Sequence, residues 1–431
     1  MELRTPRGMR DFSPSEMIAR DAVFSTVKKA YERYGFYPLE TPALESYDVL
    51  TAKCGDEVSK QVFRISDSDL GLRFDLTVPL SRYVAGNPSL AKPFKRYCIS
   101  RVWRREEPQK GRFREFWQAD VDIVGSPSMR CEAELLAAAV DALRELGFPR
   151  VVVKLNSRKI LDAAVQALGI AEEKEFSVFR SLDKLEKIGA EAVKEELKAK
   201  GISAKEISAI MSFGEISGSN SEKIAAARKM LPDSQKAKDG LLELEQVISL
   251  FSEYDLSKGC ELQVDFALVR GLDYYTGPIF EIAVPEGGIG SLAGGGRYDN
   301  LIALYGAQPT PATGISLGIE RITELMKQKR ASEKPVSTTS RVFIAPVKPE
   351  FYTYGLKLLQ AFRSLGINSE IDLMERTLRK QLDYASSMGI QFAAIIGEKE
   401  KKEFKLTLRN LRDGKEQVLS PGDAASVVKS A

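Results

Sequence analysis

The stretch from Cys98 to Val124 constrains the fold of this chain most. Its pattern predicts a strand, a charged hairpin loop and a second strand, because β-branched and aromatic residues alternate with polar ones on both sides of the loop. Between Arg101 and Arg114, six Lys or Arg accompany two Glu. Such a loop offers guanidinium groups to a polyanion, although a solvated hairpin on an ordinary sheet has the same pattern.

Composition narrows the class of protein. The 431 residues are 43% hydrophobic and 29% charged, which allows two or three domains with a large core. There is no apolar run of transmembrane length and no charged-then-apolar leader, so we expect a soluble, cytoplasmic protein without membrane association. The four cysteines form no C-x-x-C pair, which argues against a disulfide framework and a structural zinc site.

The chain contains no histidine. This removes imidazole acid–base chemistry, histidine-ligated metals and Ser-His or Cys-His nucleophiles from consideration. Any chemistry must therefore use Arg, Lys, Tyr, carboxylates or metal-bound substrate.

The N-terminal part predicts a helix over Ser15 to Tyr34, ended by Gly35. The segment from Phe36 to Val49 carries two prolines, so we expect an extended edge or interface segment rather than a central strand. Leu72 to Pro79 predicts a strand that ends in Asp75, Leu76 and Thr77, with a carboxylate and a hydroxyl on the same side.

The middle of the chain changes character after the hairpin. An amphipathic helix is predicted over 131–146 and a short strand over 151–155, and from about 157 to 257 the helical spacing of Ala, Glu, Lys and Leu predicts an inserted helical module. Strand signals return at 261–269 and 279–284.

The glycine cluster at 287–299 contains Gly-x-Gly-x-x-Ala, but no crossover helix fits behind it, so we discount a dinucleotide site and expect close backbone approach to a ligand.

The C-terminal part alternates strands and helices after a polar, proline-bearing linker. We expect strands at 341–346, 368–373 and 392–396 with helices at 352–365 and 377–388, which indicates a small α/β domain on a mostly parallel sheet. Residues 341–431 hold 15 Lys and Arg against 11 Asp and Glu, so the basic excess lies here and suits a polyanion-binding module. A regulatory domain is the alternative.

With these stretches in view, the chain resembles the class II aminoacyl-tRNA synthetases, and within them the histidyl-tRNA synthetase family, over nearly its whole length. The segment ending at Pro42, RVWRREEPQKGRFREFWQAD and GISLGIERI resemble the three class II motifs. RGLDYYTG and GGGRYD resemble the two motifs specific to the histidyl family. Glu-Gly-Thr and Glu are common in that family where this chain has Asp75-Leu76-Thr77 and Asp122.

The resemblance implies an α+β catalytic domain built on an antiparallel sheet at 1–326, interrupted by the helical insertion, then a linker at 327–340 and an anticodon-binding α/β domain at 341–431. It implies ATP with Mg²⁺, L-histidine and histidine tRNA as ligands, a homodimer formed through the first motif, and activation and transfer of histidine as the reaction. The alternatives are a synthetase-like regulatory subunit of ATP phosphoribosyltransferase and a class II synthetase for another amino acid.

The same resemblance implies a role for each matching residue. The ATP site would contain Arg104, Glu106, Arg112, Phe116 and Arg321. The histidine site would contain Asp75, Thr77, Arg104, Gln118, Asp122, Arg270, Tyr274 and Tyr275, with Asp122 and the two tyrosines at the imidazole. Arg270 and Arg104 would act on the α-phosphate as catalytic residues, and Glu281 is a possible metal ligand or a plain strand residue. Adenylate formation needs positioning and positive charge rather than a general base, so a site without histidine is compatible with it.

Overall fold

The structure of the chain is a computed structural model. It describes residues 3–52, 56–108, 112–167, 169–170, 172–182, 184–256, 258–269, 274–285, 290–329 and 338–431. These residues form two compact units, one of Met1–Arg10 with Val23–Lys329 and the other of Asp11–Ala22 with Arg330–Ala431. No helix in the described ranges is long and apolar enough to cross a membrane.

Ten strands precede residue 330 in the part of the chain that the structure describes. They are β1 (Tyr37–Pro38), β2 (Leu44–Ser46), β3 (Leu70–Leu72), β4 (Phe94–Trp103), β5 (Glu115–Val124), β6 (Val151–Ser157), β7 (Cys260–Val264), β8 (Pro278–Ala283), β9 (Ser291–Arg297) and β10 (Ala312–Gly318). Eight of them form one sheet in the order β1-β4-β5-β10-β9-β8-β6-β7, and β2 pairs with β3 separately. The five central pairings are antiparallel and only the two outermost are parallel. The predicted antiparallel catalytic fold is therefore confirmed.

Within the described ranges, twelve α-helices accompany these strands. They are α1 (Pro14–Arg33), α2 (Tyr47–Thr51), α3 (Asp56–Gln61), α4 (Thr77–Ala85), α5 (Arg130–Glu145), α6 (Arg158–Ala167), α7 (Glu172–Leu182), α8 (Leu185–Ala199), α9 (Ala204–Gly214), α10 (Asn220–Met230), α11 (Gln235–Ser252) and α12 (Ile319–Lys329). The 157–257 segment thus holds α6 to α11. Helix α11 buries Leu241, Leu244 and Val247 in the main core, whereas α6 to α9 share a separate apolar cluster.

The central hairpin is present as predicted. Strand β4 pairs with β5 from Phe94 opposite Val124 to Trp103 opposite Glu115. Because side chains alternate along a strand, Ala119, Val121 and Ile123 face the helices and are buried with α5, which is rich in the strong helix formers Ala and Leu. The intervening Gln118, Asp120 and Asp122 lie on the opposite, polar face of the sheet.

The predicted strand over Leu72 to Pro79 is wrong beyond Leu72. Helix α4 begins at Thr77, and Asp75 precedes it with its Oδ1 accepting a hydrogen bond of 2.9 Å from the Val78 amide. A short carboxylate satisfies an amide of the first turn that has no partner inside the helix, so this sequence starts a helix instead of continuing a strand.

The second unit has its own sheet and core. It contains β11 (Val342–Pro346), α13 (Tyr352–Ser364), β12 (Ser369–Ile371), α14 (Leu378–Ser387), β13 (Phe392–Ile396), α15 (Glu398–Glu403), β14 (Leu406–Asn410), β15 (Glu416–Leu419) and α16 (Pro421–Ser430). The strand order is β12-β11-β13-β14-β15. The α/β architecture is confirmed, but the sheet is mixed, since β14 and β15 add in antiparallel orientation to the parallel β12-β11-β13.

Candidate active site

The polar face of the central sheet carries the candidate site. Glycines lie on this face in β9 and β10. A Cβ on Gly314 would lie 2.0 Å from Asp122 Oδ1, and one on Gly296, which is directly opposite Gly314, would lie 2.7 Å from the Pro278 carbonyl oxygen. Gly296 belongs to the 287–299 cluster that was expected to admit a ligand. At both positions the structure shows that protein atoms already fill the space.

Asp122 is held from two sides. Its Oδ2 lies 3.0 Å from Nη2 of Arg96 on β4, and its Oδ1 accepts a hydrogen bond of 2.5 Å from the Tyr298 hydroxyl. Burial raises the pKa of Asp122, and the guanidinium of Arg96 and the Tyr298 hydroxyl oppose that rise. Asp122 was expected to act with Tyr274 or Tyr275, but neither is its hydrogen-bond partner here.

Sequence reasoning gave no role to Arg96 or Tyr298. Tyr298 stands inside GGGRYD, so its motif was a usable signal. Arg96 had no such signal in the sequence, because its position beside Asp122 depends on the register of β4 against β5. The neighbouring Arg297 is structural: its Nη2 lies 2.7 Å from Glu132 on α5, and both side chains are almost fully buried.

Asp75, Thr77 and Tyr274 are brought together at the start of α4. The Tyr274 hydroxyl donates to Asp75 Oδ2 at 3.4 Å. Burial raises the pKa of Tyr274, and the nearby Thr77 side chain opposes that rise. Burial raises the pKa of Asp75, against the opposing effects of the Val78 amide and Arg104. The ring of Tyr274 meets Tyr275 edge to face at 5.0 Å and Tyr298 at 5.9 Å, which forms an aromatic wall beside the carboxylates.

Gln118 and Asp120 lie beside Asp122 on the same face. Gln118 Nε2 donates to the Ser316 hydroxyl on β10 at 2.8 Å. Asp120, a residue that the sequence did not single out, lies directly opposite Ser316 in the sheet. Burial raises the pKa of Asp120 to about 7, opposed by Arg96 and reinforced by Asp122. A buried group of carboxylates of this kind suits a cationic ligand group.

Arg104 and Phe116 form a second pair at the end of the hairpin. The Arg104 guanidinium lies over the Phe116 ring at 5.2 Å, and its Nε donates to the Phe74 carbonyl at 3.0 Å. These two contacts fix the guanidinium plane while leaving its terminal nitrogens for other acceptors.

Glu106 and Arg112 face each other across the hairpin loop. Arg112 Nε forms an ion pair with Glu106, whose side chain is 15% exposed, and Arg114 Nε donates to the Glu106 carbonyl at 2.8 Å. The structure therefore brings together Glu106, which was expected at the adenine, and Arg112, which was expected at the terminal phosphates. The two side chains form an ion pair with each other.

Helix α12 begins at the end of β10, where the sequence placed its third motif. Glu320 accepts a hydrogen bond of 2.9 Å from the Trp117 amide and so ties the helix to β5. Arg321 donates to the Ser291 carbonyl at 2.6 Å. This places Arg321 next to β9.

Two predicted site residues remain, Arg270 and Glu281. Arg270 lies outside the described residues, and its role stays a prediction. Glu281 lies on β8 opposite Lys154 and Gly294, and no group of three Asp, Glu or Cys side chains suited to a metal occurs within the described ranges.

Comparisons with known proteins match the chain over nearly its whole length. Residues 8–322 match the family model described as histidyl-tRNA synthetase, and residues 341–431 match the one described as anticodon binding domain. A histidine–tRNA ligase of Aeropyrum pernix is 40% identical over 99% of this chain and 98% of its own length, and one of Cytophaga hutchinsonii is 37% identical over 95% and 96%.

A solved structure gives the same result for the fold. The crystal structure of histidyl-tRNA synthetase from Nostoc sp. has a TM-score of 0.86 and 31% identity, covering 100% of this chain and 99% of that one. A Staphylococcus aureus histidyl-tRNA synthetase at 22% identity and a TM-score of 0.70 shows the shared fold. This chain belongs to the histidyl-tRNA synthetase family.

Proposed function

We propose that the chain activates histidine with ATP to histidyl-adenylate and transfers the histidyl group to its cognate tRNA. The observation that carries this proposal is the polar face of the sheet, where Asp75, Gln118 and Asp122 share one surface with Tyr274 beside the arginine-rich hairpin. The full-length match to the family supports it.

The histidine pocket uses the buried carboxylates for the two polar ends of the amino acid. Asp75, Thr77 and Gln118 surround the α-ammonium group. Asp122 accepts the imidazole N–H while a phenol of Tyr274 or Tyr275 donates to the bare nitrogen, which satisfies both polar atoms of a neutral imidazole. The contacts of Asp122 with Arg96 and Tyr298 favour its ionised form, against the rise of its pKa on burial, and fix its orientation for this role.

The ATP pocket uses the hairpin and α12. Phe116 stacks on the adenine, Glu106 accepts its amino group, and Arg104 reaches the α-phosphate and the substrate carboxylate. Arg112 and Arg321 clamp the terminal phosphates, so Arg112 must leave Glu106 when ATP binds. Arg270 joins Arg104 at the α-phosphate.

The reaction is an in-line attack of the histidine carboxylate on the α-phosphate, with pyrophosphate as the leaving group. The protein orients the two substrates and offers planar guanidiniums to the charge that develops on phosphate oxygens, so no general base is required. Mg²⁺ carried in with ATP would supply further positive charge there. A single carboxylate such as Glu281 fits an ion that keeps waters and phosphate oxygens as its other ligands.

The proposed partners, a second copy of the chain and tRNA, are inferred from the exposed apolar side chains of the 36–49 segment and from the second unit. Tyr37 and Leu44, in the predicted dimer segment, are 66% and 43% exposed, and burial of this apolar surface favours a homodimer. Residues 341–431 bind the anticodon stem through their basic excess. A cytoplasmic location stays a prediction.

The alternative of a regulatory subunit of ATP phosphoribosyltransferase has less support. A Bacillus halodurans structure titled as such a regulatory subunit/histidyl-tRNA synthetase has a TM-score of 0.76 at 23% identity, which shows a shared fold alone. The chain retains both histidyl motifs and the second unit.

Charging of a total tRNA mixture with radiolabelled histidine tests the proposed function. We expect histidine to be attached with ATP present, and the rate to fall as salt rises because phosphate contacts release counterions. Asp122→Ala should charge much more slowly when histidine is limiting. Charging with a different amino acid, or none with histidine, would overturn the proposal.

A further inference from the structure

A tight turn of residues 6–9 lies against the hairpin loop between β4 and β5. The Met9 amide donates to the Pro6 carbonyl at 3.0 Å, which closes the turn. The Gly8 carbonyl accepts a hydrogen bond of 2.8 Å from the Arg114 amide, directly before β5. Neither the sequence motifs nor the proposed function gives this 6–9 turn a role.

The structure requires a glycine at position 8 for two reasons. Its φ is +83°, a left-handed conformation that residues with a side chain adopt only at a cost. A Cβ there would lie 2.8 Å from the Cγ atoms of Arg114 and Pro108, and 3.0 Å from Arg114 Cδ. These distances are too short for carbon atoms, so a methyl group at position 8 would displace the stem of the Arg114 side chain.

Arg114 connects the 6–9 turn to Glu106. Its Nε donates to the Glu106 carbonyl at 2.8 Å, and its side chain is only 21% exposed. Because Cγ and Cδ join the Arg114 backbone to Nε, displacing them moves the donor that holds the Glu106 backbone. A second link between turn and loop, the ion pair of Arg7 with Glu107, is exposed on both sides and contributes little.

We propose that Gly8 is a positioning residue for nucleotide selection: acting through Arg114, it holds the hairpin loop so that the Glu106 carboxylate faces the 6-amino group of adenine. This inference rests on the proposed function, which assigns Glu106 to the adenine. It adds the residues that hold Glu106 in place.

The chemistry of the purine 6-position makes this role measurable. Adenine has an amino group there, which donates to a carboxylate, whereas the hypoxanthine of ITP has a carbonyl oxygen, which a carboxylate repels. ATP and ITP have the same ribose and the same phosphates. Damage to the phosphate-binding arginines therefore affects both nucleotides, whereas displacement of Glu106 changes the preference between them.

Histidine-dependent exchange of pyrophosphate into ATP and into ITP measures this preference on the full chain. We expect the unsubstituted protein to prefer ATP about 10- to 100-fold in kcat/KM, the value of a hydrogen bond to a charged group. Gly8→Ala should lower the preference at least about threefold through a higher KM for ATP, and change kcat/KM for ITP less than about twofold. Arg114→Met, which leaves Gly8 in place, should lower the preference in the same way.

Gly147→Ala is the matched control. Gly147 also has a left-handed φ, +88°, but no described atom outside its chain neighbours lies within 4 Å of a Cβ built there. This variant carries the backbone strain without displacing a side chain, so its preference for ATP should be unchanged. An equal fall in Gly147→Ala, or equal losses of Gly8→Ala with ATP and ITP, would overturn the proposal.

A double-substitution cycle tests whether Gly8 acts through Glu106. In a Glu106→Ala background, Gly8→Ala should lower the preference for ATP no further, because the carboxylate that reads the amino group is already absent. A further fall in that background would mean that Gly8 acts by another route and would overturn the proposal.

The proposed function and this inference fail differently. If the unsubstituted protein supports no histidine-dependent exchange, or uses ATP and ITP equally, the proposed function or its adenine site is wrong, and the inference falls with it. If Glu106→Ala lowers the preference but Gly8→Ala and Arg114→Met both keep it, only the role of the 6–9 turn is wrong. Melting temperatures establish that each variant is folded, and Arg114→Met tests the link even where Gly8→Ala does not fold.

Discussion

The Arg96 guanidinium lies 3.0 Å from the Asp122 carboxylate, and both side chains are only 2% exposed. Removing one partner of such a pair leaves a buried charge without compensation. We expect Arg96→Met to lower the free energy of unfolding by about 3 to 5 kcal/mol, measured by urea denaturation at pH 7.5. Arg228→Met is the control, since its ion pair with Glu245 is exposed and should contribute at most about 1 kcal/mol. Equal losses in the two variants would contradict a stabilising role of the buried pair.

Tyr298 orients Asp122 through its hydroxyl, so its removal should affect histidine more than ATP. For Tyr298→Phe we expect the KM for histidine to rise about tenfold, the value of one hydrogen bond to a charged group, and the KM for ATP to change less than about threefold. Asp122→Ala should show the same selectivity more strongly. Tyr354→Phe removes a hydroxyl that donates to a carbonyl in the second unit and serves as control. Similar increases in the KM for histidine and the KM for ATP would contradict the assignment of Asp122 and Tyr298 to the histidine pocket.

The sequence predicted the architecture well where a local pattern decides it. The β4–β5 hairpin, α5 and the strand–helix alternation after residue 341 depend on periodicity and turn residues, and all were found. The start of α4 was misjudged because Asp75 caps the helix through one hydrogen bond, which alternation of apolar residues does not reveal.

The site was only partly predictable for a different reason. Asp75, Gln118 and Tyr274 are found on one surface, as their motifs led us to expect. Arg96 lies outside the quoted motifs, and its importance arises from strand register, which pairs it with Asp122. Register is a property of the folded sheet.

Asp120 makes the stability of the unliganded protein depend on pH. Its pKa is about 7 when folded and about 3.9 when unfolded, so between these values the folded state holds a proton that the unfolded state has released. This contribution is favourable near pH 4 and is lost as the pH rises through 7. The groups facing Asp120 are Arg96 and Cys98 on β4, Asp122 on β5 and Asp75 before α4.

Asp120→Asn isolates this effect because asparagine cannot ionise. We expect the stability of the variant relative to the unsubstituted protein to increase from pH 5 to pH 8, as followed by urea denaturation across that range. Asp48→Asn, an exposed side chain on α2, should leave the pH profile unchanged. A constant difference between Asp120→Asn and the parent at all pH values would mean that Asp120 is ionised throughout.

The exposed apolar side chains of the 36–49 segment predict self-association. We expect a homodimer at micromolar concentration in sedimentation velocity experiments, and a shift toward monomer for Leu44→Glu because a charge must then be buried in the interface. Leu365→Glu, at an equally exposed position of the second unit, should leave the dimer intact. A stable monomer of the unsubstituted chain would contradict the predicted interface.

The central claim is that the polar, glycine-lined face of the central sheet selects histidine for activation by ATP. Amino-acid-dependent exchange of pyrophosphate into ATP, run with each of the twenty amino acids, tests it most directly. A pocket built to satisfy both imidazole nitrogens leaves buried polar groups unpaired with any other side chain, so histidine should support exchange with a kcat/KM at least about 10³-fold above every competitor. Exchange supported equally by another amino acid, or by none of the twenty, would contradict the account.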